Sequence, residues 1–142
     1  MYKTINKLDV AVAQLETAIE LYFSNGCRIS VTTLAGAAEE ILGRYLEIKD
    51  QETALAEMVR IVCLLHKKRC GTTPKHAPIK ARANFAKNSF KHMAFEDDFD
   101  ITVDVEEEAI DMLNRAIDNY WKLTQCFTPL MERYEEFRRT GV

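Results

Sequence analysis

The sequence predicts an all-α fold, a single-domain helical bundle of five to six helices that spans residues 1–142. Apolar residues recur at spacings of three and four along most of the chain, which places them on one face of an α-helix. Gly26, Gly71 and Pro129 fall where these periodic stretches begin or end. The length is sufficient for one hydrophobic core that needs neither disulfides nor a metal.

Three helices are predicted in the first half of the chain. The first covers residues 6–24, the second begins after Ser30 as N-cap, and the third runs from after Asp50 to Gly71. A run of small residues at 35–38 implies that the second helix approaches a neighbour closely. The predicted buried faces are Leu8, Ala11, Val12, Leu15, Ala18, Ile19 and Tyr22 in the first helix, Leu34, Ala35, Ala38, Ile41, Leu42 and Tyr45 in the second, and Leu55, Met58, Val59, Val62, Leu65 and His66 in the third.

The middle of the chain is predicted as loop, helix and connector. Residues 71–78 contain two prolines and a glycine, which is typical of a loop. A helix follows over 79–95, and an extended connector over 96–104, where apolar and acidic residues alternate.

The last third of the chain is predicted to contain the central helix of the core. Asp104 and Glu107 form a capping box for a helix over 105–126, whose apolar stripe includes Trp121. Thr128 and Pro129 then start a short final helix.

Two opposed charge blocks lie behind a net charge of only −3. The interval 66–92 holds all three histidines and no acid, and the interval 96–108 holds acids and no base. The bases of the first block are Lys67, Lys68, Arg69, Lys75, Lys80, Arg82, Lys87 and Lys91. A cationic stretch with groups that titrate near neutral pH suits an anionic, phosphate-bearing ligand such as RNA or a nucleotide.

The four cysteines indicate a reducing environment. Cys27, Cys63, Cys70 and Cys126 form no CxxC pair and no metal-ligand spacing, so we expect buried free thiols and neither a metal nor a cofactor. No apolar run is long enough to span a membrane. These features predict a cytoplasmic protein without a membrane partner.

The segment 87–92 carries the strongest candidate chemistry. On a helix, Asn88 and His92 share a face, and Lys91 neighbours both Lys87 and Asn88. A phosphate near this turn would meet an ammonium, a carboxamide and an imidazole, with Arg82 and Lys80 assisting. Another interpretation is that these residues form an ordinary solvated helix face.

This segment resembles the motif of the HEPN domains of bacteria and their viruses, in which an Arg, a polar residue and a His follow one another at this spacing. The start of the chain, residues 33–42 and residues 88–92 also resemble a group of uncharacterised bacterial proteins. Catalytic HEPN members are metal-independent ribonucleases with sites that form across a dimer. The resemblance therefore implies a homodimer, with His92 and Lys87 as catalytic residues and Asn88, Lys91, Arg82 and Lys80 as ligand-binding residues. Since Lys87 replaces the Arg, whose planar fork grips a phosphate, binding is implied more strongly than cleavage.

Two hypotheses follow for function. The first is an HEPN-like protein that binds RNA or nucleotide phosphates, with metal-independent RNA cleavage as a secondary hypothesis. The second is a non-enzymatic helical bundle that acts by association with itself or another protein, in which the basic and acidic blocks are complementary halves of an interface. The blocks also have a simpler explanation, since they could neutralise each other within the fold.

Overall fold

The computed structural model describes residues 1–141, and within them the chain forms seven α-helices and no strand. The helices are α1 (Lys7–Phe23), α2 (Arg28–Ile48), α3 (Ala54–Cys70), α4 (His76–Ala83), α5 (Phe85–Ser89), α6 (Val105–Thr124) and α7 (Pro129–Thr140). The predicted all-α class is confirmed. The predicted count of five to six is slightly low, because the helix expected over 79–95 is two short helices.

The break between α4 and α5 has a local cause. The guanidinium of Arg115, from α6, donates to the Ala83 carbonyl at 2.9 Å and to the Asn84 side chain at 2.8 Å. The Ala83 carbonyl is thus bound by a side chain at the point where a continuous helix would bind it to a backbone N–H. Helix α5 ends at Ser89, and residues 90–104 contain neither helix nor strand.

Most helix boundaries follow from capping chemistry. Thr53 and Asp104 accept hydrogen bonds from the first turns of α3 and α6, and Gly71 ends α3 in the left-handed conformation with φ of 76°. The prediction for Ser30 was wrong. Helix α2 begins at Arg28 with Cys27 at the N-cap, so Ser30 lies inside the first turn.

The hydrophobic core lies among α1, α2, α6 and α7. Helix α2 packs most extensively against α6 and α1. The core is closed at one end by four aromatic rings, mostly in edge-to-face contact. These rings are Tyr22, Phe23, Tyr134 and Phe137.

Helix α3 lies outside this core and is less covered than predicted. Only Ala54, Val59 and Cys63 of α3 are buried. The predicted core residues Val62 and Leu65 are exposed, because α3 contacts mainly the short α4 and one side of α6. Trp121, predicted in the core, is 43% exposed.

Two further sequence predictions concern the cysteines and the membrane. Cys63 is buried, but Cys27, Cys70 and Cys126 are exposed, so burial was predicted correctly for one thiol of four. In the part of the chain that the structure describes, no helix combines the length and hydropathy that a bilayer-spanning segment requires.

Candidate anion-binding site

Lys87 does not face solvent as the sequence analysis expected. Its side chain is only 4% exposed, and its Nζ lies 3.2 Å from Glu39 Oε2 and 2.9 Å from Glu40 Oε1. The aliphatic part of Lys87 crosses α2 at Gly36, where a Cβ atom would lie 2.6 Å from Lys87 Cδ. The ammonium is therefore already neutralised by the protein's own carboxylates.

Glu39 is the centre of a buried ion network that joins three helices. Its second oxygen accepts from Arg115 of α6 at 2.7 Å, and Glu39 and Arg115 are both over nine-tenths buried. Glu39 follows Ala35 by four residues, so it lies on the buried side of α2. That spacing is a signal that could have revealed Glu39 as buried. A buried charge is stable only when paired and hydrogen-bonded, and here two cations meet Glu39, with Glu40 as a second anion beside Lys87.

Glu40 lies at the edge of this network. Burial opposes ionisation of Glu40, but Lys87 and Lys91 outweigh that effect and hold its pKa below the ordinary value. Lys91 Nζ is 3.7 Å from the Glu40 carboxylate, and about a quarter of its side chain is exposed. Lys91 is thus a surface cation with one weak partner.

Asn88 and His92 are exposed, as the sequence analysis expected. His92 lines a shallow cavity of about 210 Å³ together with Asp98 and Asp100 of the connector. Phosphate is not the natural ligand of a cavity that contains two carboxylates.

Lys80 and Arg82 of α4 lie on different sides of that helix. Arg82 lines a groove of about 780 Å³ that also contains Glu107, Glu108 and Asp111. Lys80 lines a cavity of about 440 Å³ between α3 and α4, together with Lys67 and His76. The structure therefore distributes the six predicted site residues over a buried network, two cavities, a groove and a solvent-exposed turn.

The α3–α4 cavity brings together cations that sequence reasoning did not combine into a site. Lys67 comes from the last turn of α3, whereas His76 and Lys80 come from α4. Within residues 1–141, no carboxylate lies within 4.0 Å of the side-chain nitrogens of these three residues. Their residue types were visible in the basic block, but only the packing of α4 on α3 brings them to one cavity.

No group of three or more metal-ligating side chains is arranged to hold a metal ion in the described part of the chain. Comparisons with protein-family models, with curated proteins and with solved structures find no match to this chain.

Proposed function

We propose that this protein binds RNA or nucleotide phosphates through a cationic surface formed by the end of α3, the following loop and α4. The cationic surface consists of Lys67, Lys68, Arg69, Lys75, His76 and Lys80. One observation carries the proposal: across residues 1–141, no ion pair joins the basic block 66–92 to the acidic block 96–108. The two blocks do not neutralise each other through direct pairs, so the basic block keeps uncompensated charge.

The acidic block has other partners. Glu106 pairs with Arg28 at 2.5 Å, Asp104 caps α6, and Asp98 accepts from the Ala94 backbone N–H at 2.8 Å. Glu108 is the closest approach between the blocks. Burial raises the pKa of Glu108, and nearby Arg82 opposes that shift without forming an ion pair. Arg82 is for this reason left out of the cationic surface.

Asn88, Lys91 and His92 extend the proposed binding region beyond α4. Lys87 has a different role in this proposal, because its ammonium is occupied by Glu39 and Glu40. Cleavage remains the secondary hypothesis from the resemblance to HEPN domains. In that case His92 would take the proton from a ribose hydroxyl, and Lys91 would stabilise charge on the phosphate.

The test is RNA binding measured by fluorescence anisotropy over a range of salt concentrations. Affinity should fall as salt rises, with a slope of about −0.7 per neutralised phosphate on a logarithmic plot for single-stranded RNA. Lys67→Glu and Lys80→Glu should each weaken binding and reduce that slope by about 1. Lys7→Glu, at the exposed start of α1, is the matched control for net charge. Equal effects of all three variants, or binding that ignores salt, would contradict the proposal.

Self-association is a second candidate, favoured by the uncovered face of α3. Ile61, Leu64 and Leu65 are 44%, 56% and 62% exposed on the outer half of this helix. Exposed apolar side chains that adjoin one another on a helix are typical of protein interfaces. Sedimentation should show a homodimer that Ile61→Glu converts to monomer, while Ile29→Glu on α2 leaves the mass unchanged. A monomer at every concentration would exclude this candidate.

A further inference from the structure

The α3–α4 cavity has the dimensions of a small-ligand site. Its volume is about 440 Å³, within the range of roughly 300–1,000 Å³ that is common for such sites. The cavity exists because α4 has only eight residues and covers part of α3 without filling the space beside it. The lining residues from α3 are spaced by three and four, so they form one continuous wall.

The floor of the cavity is apolar. Ala56, Val59, Cys63 and Leu64 line it, and Val59 and Cys63 are buried. The Cys63 thiol donates to the Pro74 carbonyl at 3.8 Å, which ties the loop to this wall. An inorganic anion or an RNA backbone alone would leave this apolar floor unused.

The charged groups lie at the two ends of the wall. Glu52 and Arg60 satisfy each other through two hydrogen bonds of 2.8 and 3.1 Å, so this end is polar but neutral. At the other end, Lys67 meets His76 and Lys80 of α4 without a carboxylate partner among residues 1–141. The cavity is thus apolar along its floor and cationic at one end.

We infer that the α3–α4 cavity binds a single nucleoside phosphate unit. The base lies on the floor formed by Val59 and Leu64, and the phosphate binds Lys67 and Lys80. Ribose and base edges face the Glu52 and Arg60 pair, which offers an acceptor and donors. This inference rests on the proposed function, because it assigns one nucleotide of the ligand to a defined position. The unit is supplied either by a free nucleotide or by a phosphorylated RNA end.

The experiment compares two variants of equal size change. Ala56→Phe fills the floor, whereas Ala77→Phe places the same side chain on an exposed position of α4 outside the cavity. Calorimetric titration with adenosine monophosphate and with inorganic phosphate separates the base from the phosphate contribution. We expect the nucleotide to bind at least about tenfold more tightly than phosphate, and Ala56→Phe to remove that advantage while Ala77→Phe keeps it. Leu64→Glu, at a position already 56% exposed, is the second variant should Ala56→Phe fail to fold.

A ten-nucleotide RNA, with and without a terminal phosphate, distinguishes the two sources of the unit. Preference for the phosphorylated end that Ala56→Phe abolishes assigns the cavity to an RNA end, and tight binding of the free nucleotide alone assigns it to a mononucleotide. Salt-dependent RNA binding that Ala56→Phe leaves intact, with no preference for nucleotide over phosphate, overturns the inference and leaves the proposed function standing. Loss of every salt-dependent interaction overturns both.

Discussion

The ammonium of Lys87 lies 3.2 Å from the carboxylate of Glu39, and more than nine-tenths of each side chain is buried. Arg115 binds the other oxygen of the same carboxylate at 2.7 Å, so cations from α5 and α6 converge on one anion of α2. Together with the buried Ala86, this network fixes α5 against α2. Lys87 therefore determines where the 88–92 turn is placed, although its own charge is not available to a ligand.

Removal of the Lys87 ammonium should destabilise the fold. Lys87→Met leaves part of the Glu39 charge uncompensated in the interior, and such a loss costs about 3 kcal/mol. Lys91→Met, which removes an exposed cation from Glu40, should cost less than about 1 kcal/mol. Urea denaturation measures both changes in the free energy of unfolding. Equal effects of the two substitutions would show that burial of the Lys87 pair contributes nothing.

Gly36 should be required because Lys87 crosses α2 there. Gly36→Ala places a methyl group 2.6 Å from Lys87 Cδ, so the expected loss is about 1–3 kcal/mol despite the better helix propensity of alanine. In a Lys87→Ala background the obstruction is gone, and the same change should be neutral or stabilising. Gly43→Ala is the control on the same helix, since its new methyl group meets Asn119 at an ordinary 3.4 Å. Additive effects of the Gly36 and Lys87 changes in a double-mutant cycle would disprove the steric contact.

Asn119 should act as a buried connector between α2, α3 and α6. Its Oδ1 accepts from the Ala54 backbone N–H at 2.7 Å, and its Nδ2 donates to the Glu39 carbonyl at 3.3 Å. Asn119→Ala leaves a buried N–H at the start of α3 unsatisfied, at a cost of about 1–3 kcal/mol. The exposed Asn88→Ala change is the control and should leave the midpoint of thermal unfolding almost unchanged. A result in which both substitutions lower that midpoint equally would argue against the connector role.

The stability of the fold should decrease in acid partly through Glu40. Because Lys87 and Lys91 hold the folded-state pKa of Glu40 below the ordinary 4.5, its contribution is fully present above that value. The contribution is lost as pH falls through the lower folded-state pKa. Glu40→Gln should therefore reduce the loss of stability between neutral pH and about pH 3.

Glu52 and Glu106 also have lowered pKa values, through hydrogen bonds from Arg60 and Arg28 respectively, so part of the acid dependence should persist in Glu40→Gln. Glu20→Gln is the control, since the Glu20 carboxylate has no ion pair or hydrogen bond within the described residues. Free energies of unfolding from urea titrations at several pH values provide the comparison. An unchanged pH profile in Glu40→Gln would remove Glu40 from the explanation.

Local sequence signals predicted the helices well where one signal dominates. Asp104, Thr128 and Gly71 mark helix boundaries because capping depends on a few neighbouring backbone groups. The all-α class follows from periodicity summed over many residues. The helix over 79–95 was predicted as continuous because its interruption depends on Arg115, thirty-two residues from Ala83 along the chain.

The burial of α3 and of Lys87 could not be predicted in the same way. Periodicity identifies an apolar face but does not show whether another helix covers it, so Val62 and Leu65 were expected in a core that never reaches them. Likewise, a lysine in a basic run gives no sign that a glycine and two glutamates of a distant helix enclose it.

The sequence alone determined the helical class, most helix boundaries and the existence of two opposed charge blocks, because these depend on neighbours along the chain. Only the tertiary structure decided which charges are spent inside the fold and which remain available. Lys87 is neutralised by Glu39 and Glu40, whereas Lys67 and Lys80 meet across the α3–α4 cavity without a carboxylate partner in residues 1–141. The physical reason is that charge compensation depends on distances between side chains of different helices, and these distances are set by packing.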